Sequence, residues 1–148
     1  MDKSEIAVNK FKDGYNCAQS VLFSYADKLN ISRDLALKMA NGFGGGMGRK
    51  QEVCGALSGG ILVLNLIYGR GENEEKQKQE KVYSLVRELM DKFEEKYESV
   101  NCKKLLDGCE LMTSEGQEQF KSNKLIEKCY DYVEFTVRAL DEIIEGKS

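Results

Sequence analysis

The sequence predicts an all-α protein, on three observations. There is no proline in its 148 residues, runs of alternating β-branched residues that would mark strands are scarce, and apolar residues recur at helical spacing over several long stretches. The expectation is one domain spanning residues 1–148, a bundle of five or six helices around a buried central helix at about 54–68. No internal repeat and no linker interrupts it.

Each element has a local reason. An N-terminal helix of about a dozen residues carries Ile6, Val8 and Phe11, and Gly14 ends it. Asn16 caps the second, with Gln19 at the capping-box position and Ala18, Val21, Leu22, Tyr25, Ala26 and Leu29 on one face. Ser32 caps a third, which runs to about Asn41 with Leu35, Leu37 and Met39. A glycine-rich loop, GFGGGMGRKQ at 42–51, precedes the apolar run ALSGGILVLNLIY at 56–68. At about 13 residues that run is shorter than the roughly 20 needed to cross a bilayer, so it reads as a buried helix and no membrane span is expected. Its small residues allow close helix approach, at about 1 kcal/mol of helix propensity per glycine.

A long amphipathic helix is expected at about 73–99, with Val82, Leu85, Val86, Leu89, Met90 and Phe93 on its stripe. The charge run ENEEKQKQEK that opens it reads as a solvated face. A short helix at 102–107 ends at Gly108, and 110–122 reads as a loop or frayed turn. The last helix, about 123–145, places Ile126, Cys129, Tyr130, Val133, Val137, Leu140 and Ile144 on one stripe, carrying Cys129 inward in mid-helix.

A charged fraction of 32% and a hydrophobic fraction of 41% are those of a soluble globular chain, and a net charge of −3 offers no basic footprint for nucleic acid. The start, Met1-Asp2-Lys3-Ser4-Glu5-Ile6, lacks the apolar core of a signal peptide, so a cytoplasmic location is expected. Thiols stay reduced there, which favours metal binding or catalysis over a disulfide framework.

Five cysteines and no histidine therefore focus the chemistry on sulfur. Cys17, Cys54 and Cys102 open helices, where the dipole and unpaired N–H groups are expected to stabilise thiolate and lower its pKa. The plain alternative is that cysteine serves as a small buried apolar filler.

The glycine loop has neither the dinucleotide fingerprint nor a Walker A pattern, and no strand leads into it, so no nucleotide is expected. Gly44, Gly45, Gly46 and Gly48 instead permit positive φ and close passage of backbone N–H groups beside the sulfurs. Arg49 and Lys50 would place positive charge beside Cys54, unless they are simply exposed loop cations.

Asn16-Cys17-Ala18-Gln19, Phe43-Gly44-Gly45-Gly46-Met47-Gly48, Cys54-Gly55-Ala56-Leu57-Ser58-Gly59, Cys102 and Cys129 together resemble the C_GCAxxG_C_C family of small bacterial and archaeal proteins. The Cys-Gly-Ala-x-x-Gly motif is matched in full at 54–59, and the resemblance runs from about Gly14 to Cys129. It implies a redox-active protein whose four characteristic cysteines are Cys17, Cys54, Cys102 and Cys129, with Cys109 extra. Related domains in split-Soret cytochromes c are associated with haem and an iron–sulfur centre. This chain has no Cys-x-x-Cys-His and no histidine, which excludes c-type haem.

By spacing alone the pattern is less specific, because no pair is Cys-x-x-Cys and a four-thiolate site must be assembled from distant segments. Three functions stay open. One is an iron–sulfur cluster or iron held by Cys54, Cys102 and Cys129, with Cys17 or Cys109 completing it, for electron transfer. Another is a metal-free dithiol protein using Cys17, Cys54, Cys102 and Cys129. The third is a binding module with structural zinc or no metal. The sequence does not decide whether the protein is an enzyme, names no redox partner and leaves a homo-oligomer open.

Overall fold

The computed structural model describes residues 1–146. Among them are eight right-handed helices: α1 (Lys3–Lys12), α2 (Cys17–Tyr25), α3 (Arg33–Ala40), α4 (Gly55–Tyr68), α5 (Gln77–Tyr97), α6 (Cys102–Leu105), α7 (Ser114–Ser122) and α8 (Ile126–Glu145). The protein is all-α. The described residues contain no strand, and one isolated antiparallel bridge joins Val53 to Asn101.

The apolar run becomes the centre of the packing. Leu57, Val63 and Leu64 of α4 are fully buried, as are Val21 and Leu22 of α2, Leu89 and Phe93 of α5, and Val133, Val137 and Leu140 of α8. Gly59 explains how α2 comes so close: a Cβ there would lie 2.6 Å from the Ala18 carbonyl oxygen. The family-type glycine at that position is thus a packing requirement. Phe93, Tyr97, Tyr132 and Phe135 form a cluster of tilted and edge-on rings, with Phe93 and Tyr97 4.8 Å apart between centroids.

Several expected boundaries move. The segment 110–122, expected as a loop, contains α7, started by Thr113, whose hydroxyl accepts from the Gly116 N–H at 2.8 Å. It raises the helix count above five or six, while α6 forms where the short helix at 102–107 was expected. The long helix begins at Gln77 instead of Asn73, because Asn73 is left-handed (φ 63). In α3 the core-facing residues are Ala36 and Ala40, while Leu35 and Met39 are exposed. Cys129 lies in the first turn of α8, not mid-helix.

Asp91 is exposed on α5. Asp91→Ala is expected to change stability by no more than about 0.5 kcal/mol, a shift of roughly 2 °C or less in melting temperature by circular dichroism. No helix among the described residues is long and apolar enough to cross a membrane.

Candidate functional site: four thiols around one cavity

Three helix starts and a glycine turn build the site. The capping box forms as expected at α2: Asn16 Oδ1 accepts from the Gln19 N–H at 2.9 Å, and Gln19 Oε1 accepts from the Asn16 N–H at 3.0 Å. Asn16 Nδ2 then donates to the Asn41 carbonyl at 2.9 Å, tying the Cys17 end of α2 to the turn ahead of α4. Cys54 is the N-cap residue of α4, and Cys102 is the first residue of α6, which Asn101 caps. Two backbone bonds flank the Val53–Asn101 bridge, Cys54 N–H to Val100 O at 2.8 Å and Cys102 N–H to Glu52 O at 2.6 Å. Residues far apart in sequence are thereby held beside one another.

Residues 41–43 form a 3-10 turn, Gly44 is extended, and 45–49 then coil left-handed. Gly45, Gly46 and Gly48 have φ of 66, 65 and 60°, and Met47, Arg49 and Gln51 share that sign at 71, 67 and 58°. Gly46 needs its lack of a side chain twice over. Its φ disfavours one, and a Cβ would sit 2.7 Å from the Cys102 Cβ. Gly55 plays the same part for another sulfur, since a Cβ there would lie 2.4 Å from Cys17 Sγ and 2.9 Å from the Phe43 carbonyl oxygen.

The result is a cavity of about 500 Å³ lined by Cys17, Cys54, Cys102 and Cys129, with Gly44, Gly45, Gly48, Arg49 and Gly55. Cys109 does not line it. Its thiol donates to the Gly116 carbonyl at 3.1 Å and packs behind the cavity wall in a small cluster with Cys102, Leu106, Leu111 and Leu125, against which Cys129 also rests. All five cysteines are free thiols. The four sulfurs ring the cavity without meeting at a point: among the described residues, no three Cys, Asp or Glu side chains gather as a ready site for a metal ion.

Electrostatics overturn one expectation. The helix-start thiols were expected to ionise easily, yet burial pushes Cys17 up even though the N–H groups of Gly45, Ala18, Cys17 and Ala56 favour its thiolate. Burial and then the charge of Cys17 raise Cys54 well above its ordinary value. The same two causes push Cys102 up to about 12, against a side-chain hydrogen bond from Gln51. Cys129 rises through burial and the charges of Cys17 and Cys102. Removal from water costs more than a helix N-terminus returns, so in the metal-free protein these sulfurs keep their protons to higher pH than an exposed cysteine. The cations expected beside Cys54 do not govern it, and Arg49 is exposed at the cavity edge.

The sign of the pH dependence follows. A thiol raised above its ordinary value of 9.0 keeps its proton longer folded than unfolded, so its contribution is intact below that value and lost as pH climbs toward the folded one. Melting temperatures of metal-free protein are expected to hold between pH 7 and 8.5 and fall progressively from about pH 9 to 11. A Cys17→Ser, Cys54→Ser, Cys102→Ser, Cys129→Ser chain should show a weaker fall in that window.

Sequence reasoning missed Gln51, which is buried beside the site. Its Nε2 donates to the Cys109 carbonyl at 2.7 Å, its Oε1 accepts from the Leu111 N–H at 2.9 Å, and its amide favours the Cys102 thiolate. Nothing marks such a residue locally, because its partners lie 58 and 60 positions away. The apolar wall formed by Phe11, Leu105, Leu106, Leu111, Phe120 and Tyr132 was equally hidden. Only Phe11 sat on an expected stripe.

Fold and site together define a class: a small all-α protein with four cysteines from separate segments around one cavity. The chain belongs to the C_GCAxxG_C_C family, whose model, described as "Putative redox-active protein (C_GCAxxG_C_C)", matches residues 15–143. A protein of Archaeoglobus fulgidus, described as "Uncharacterized protein", is 31% identical over 134 residues, covering 86% of this chain and 85% of that one. No solved structure matches the chain.

Proposed function

We propose that Cys17, Cys54, Cys102 and Cys129 hold an iron–sulfur cluster and that the protein passes electrons to a redox partner. The observation that carries this is the ring of four thiols, Cys54 and Cys102 buried and Cys17 and Cys129 half-buried, around one cavity in which Arg49 is the sole charged side chain. Four thiolates there would repel one another: after burial, the charge of Cys17 raises each of Cys54, Cys102 and Cys129. A cationic centre removes that repulsion and lets the sulfurs give up their protons. Sulfurs that ring a space favour a polynuclear cluster over a single iron or zinc ion.

Such a cluster supplies reversible one-electron transfer. The chain supplies the rest. Backbone N–H groups of Gly45, Ala18 and Ala56 donate toward Cys17, and the Gln51 side chain donates toward Cys102. Hydrogen bonds of this kind stabilise the more reduced, more negative state and so raise the potential. Leu105, Leu106 and Leu111 keep water from the sulfurs.

The metal-free dithiol reading is less well supported, since exchange requires thiolate and burial suppresses it at all four sulfurs. The reading places the protein in the cytoplasm, where thiols stay reduced. The test is purification without oxygen, with reconstitution by ferrous iron and sulfide. Brown protein containing iron and acid-labile sulfide is expected. Colourless protein that takes up neither, while its thiols titrate as reactive, would overturn the proposal.

A further inference from the structure

We propose that the cavity beside the sulfurs also binds a small organic anion with an apolar body, its charge held by Arg49 and its body lying against the Phe11–Phe120 wall. The inference goes beyond electron transfer and concerns the part of the cavity, between Arg49 and the apolar wall, that a centre on the sulfurs leaves open.

Three observations carry it. The whole cavity, about 500 Å³ before a centre on the sulfurs takes its share, lies within the range of small-molecule sites, roughly 300–1,000 Å³, which are mostly apolar with a few placed polar groups. Next, the wall away from the glycine turn is built from Phe11, Leu106, Leu111 and Phe120, and the neighbouring polar side chains are committed elsewhere. Tyr132 Oη donates to the Leu105 carbonyl at 2.7 Å, and Gln117 donates to the Leu111 carbonyl.

The third concerns Arg49 itself. It is the one charged side chain lining the cavity, with no carboxylate among its companions, and it makes no ion pair among the described residues. Its backbone is left-handed at φ 67, an unfavourable conformation for a side chain with a Cβ. A Cβ on Gly45 would lie 2.9 Å from Arg49 Cγ, so the bare glycine leaves room for the stem to lie across the turn. An exposed cation needs no such arrangement to be soluble. One that lines an apolar cavity supplies charge complementarity for an anion, and its planar fork suits a carboxylate, phosphate or sulfonate.

The probe is 8-anilinonaphthalene-1-sulfonate, an apolar body with one anionic group, set against its uncharged counterpart N-phenyl-1-naphthylamine. The chain has no tryptophan, so Phe120→Trp places a single indole on the wall as an energy-transfer donor. Saturable binding at one site per chain is expected, with quenching of the introduced indole. Arg49→Gln should weaken the sulfonate at least about tenfold and leave the uncharged counterpart within about twofold. Iron and sulfide measured in the same samples report separately on the cluster.

Any of three results would overturn the proposal: no binding by a Phe120→Trp chain that melts like wild type, sulfonate binding that leaves the indole unquenched, or equal affinities for the two probes that Arg49→Gln does not change. Binding of an acidic protein at this face without binding of the sulfonate would count against it in the same way.

Discussion

Leu64→Asp is expected to leave the chain unfolded at 25 °C. Leu64 has no exposed surface, sits in the middle of α4 and belongs to the core shared with α2, α5 and α8. The substitution removes a packed side chain and requires either a desolvated carboxylate or a proton taken up against its pKa. The cavity and desolvation costs together reach several kcal/mol, against a total stability of about 5–15 kcal/mol for a domain of this kind. Circular dichroism should show loss of helix and of a cooperative melt. A melting temperature close to that of Asp91→Ala would show that α4 is not the centre of the core.

The second large effect is expected at Gly55. An alanine methyl 2.4 Å from Cys17 Sγ and 2.9 Å from the Phe43 carbonyl oxygen is well inside the roughly 3.5–4.0 Å at which nonbonded atoms are comfortable. Either the Cys17 sulfur or the turn carrying Gly44 and Gly45 must move, and each is part of the cavity wall. Gly55→Ala should therefore destabilise by about 1–3 kcal/mol and reduce the iron and sulfide retained per chain to less than about half of wild type. Gly42→Ala is the matched control, because nothing lies within 4 Å of a Cβ there and its φ is not positive. Wild-type iron content and melting temperature in Gly55→Ala would mean that the Cys17–Gly55 approach does not shape the site.

The helix starts were legible because they are written locally: Asn16 with Gln19, Ser32, and Asn101 each cap within three residues. The apolar run of α4 was legible for a similar reason, its hydrophobicity being continuous. α7 was not, since its sequence SEGQEQFKS is mostly polar and its buried residue is Gly116. The thiol pKa directions were misread because the helix dipole can be inferred from position, whereas desolvation depends on what the rest of the chain lays over a sulfur. The choice between Cys17 and Cys109 had the same difficulty. Proximity to Cys102 in sequence favoured Cys109, but Gln51 and Gly116 hold the segment after Gly108 so that its thiol turns to a carbonyl.

The central claim is that Cys17, Cys54, Cys102 and Cys129 form one centre and Cys109 stands outside it. Iron and acid-labile sulfide per chain, measured after anaerobic reconstitution of the five single Cys→Ser variants, test it most directly. Serine keeps the shape but is a far poorer ligand, so Cys109→Ser should match wild type while the other four lose most of their iron and sulfide. A Cys109→Ser protein as depleted as Cys54→Ser, or a Cys17→Ser protein that retains a full complement, would contradict the account.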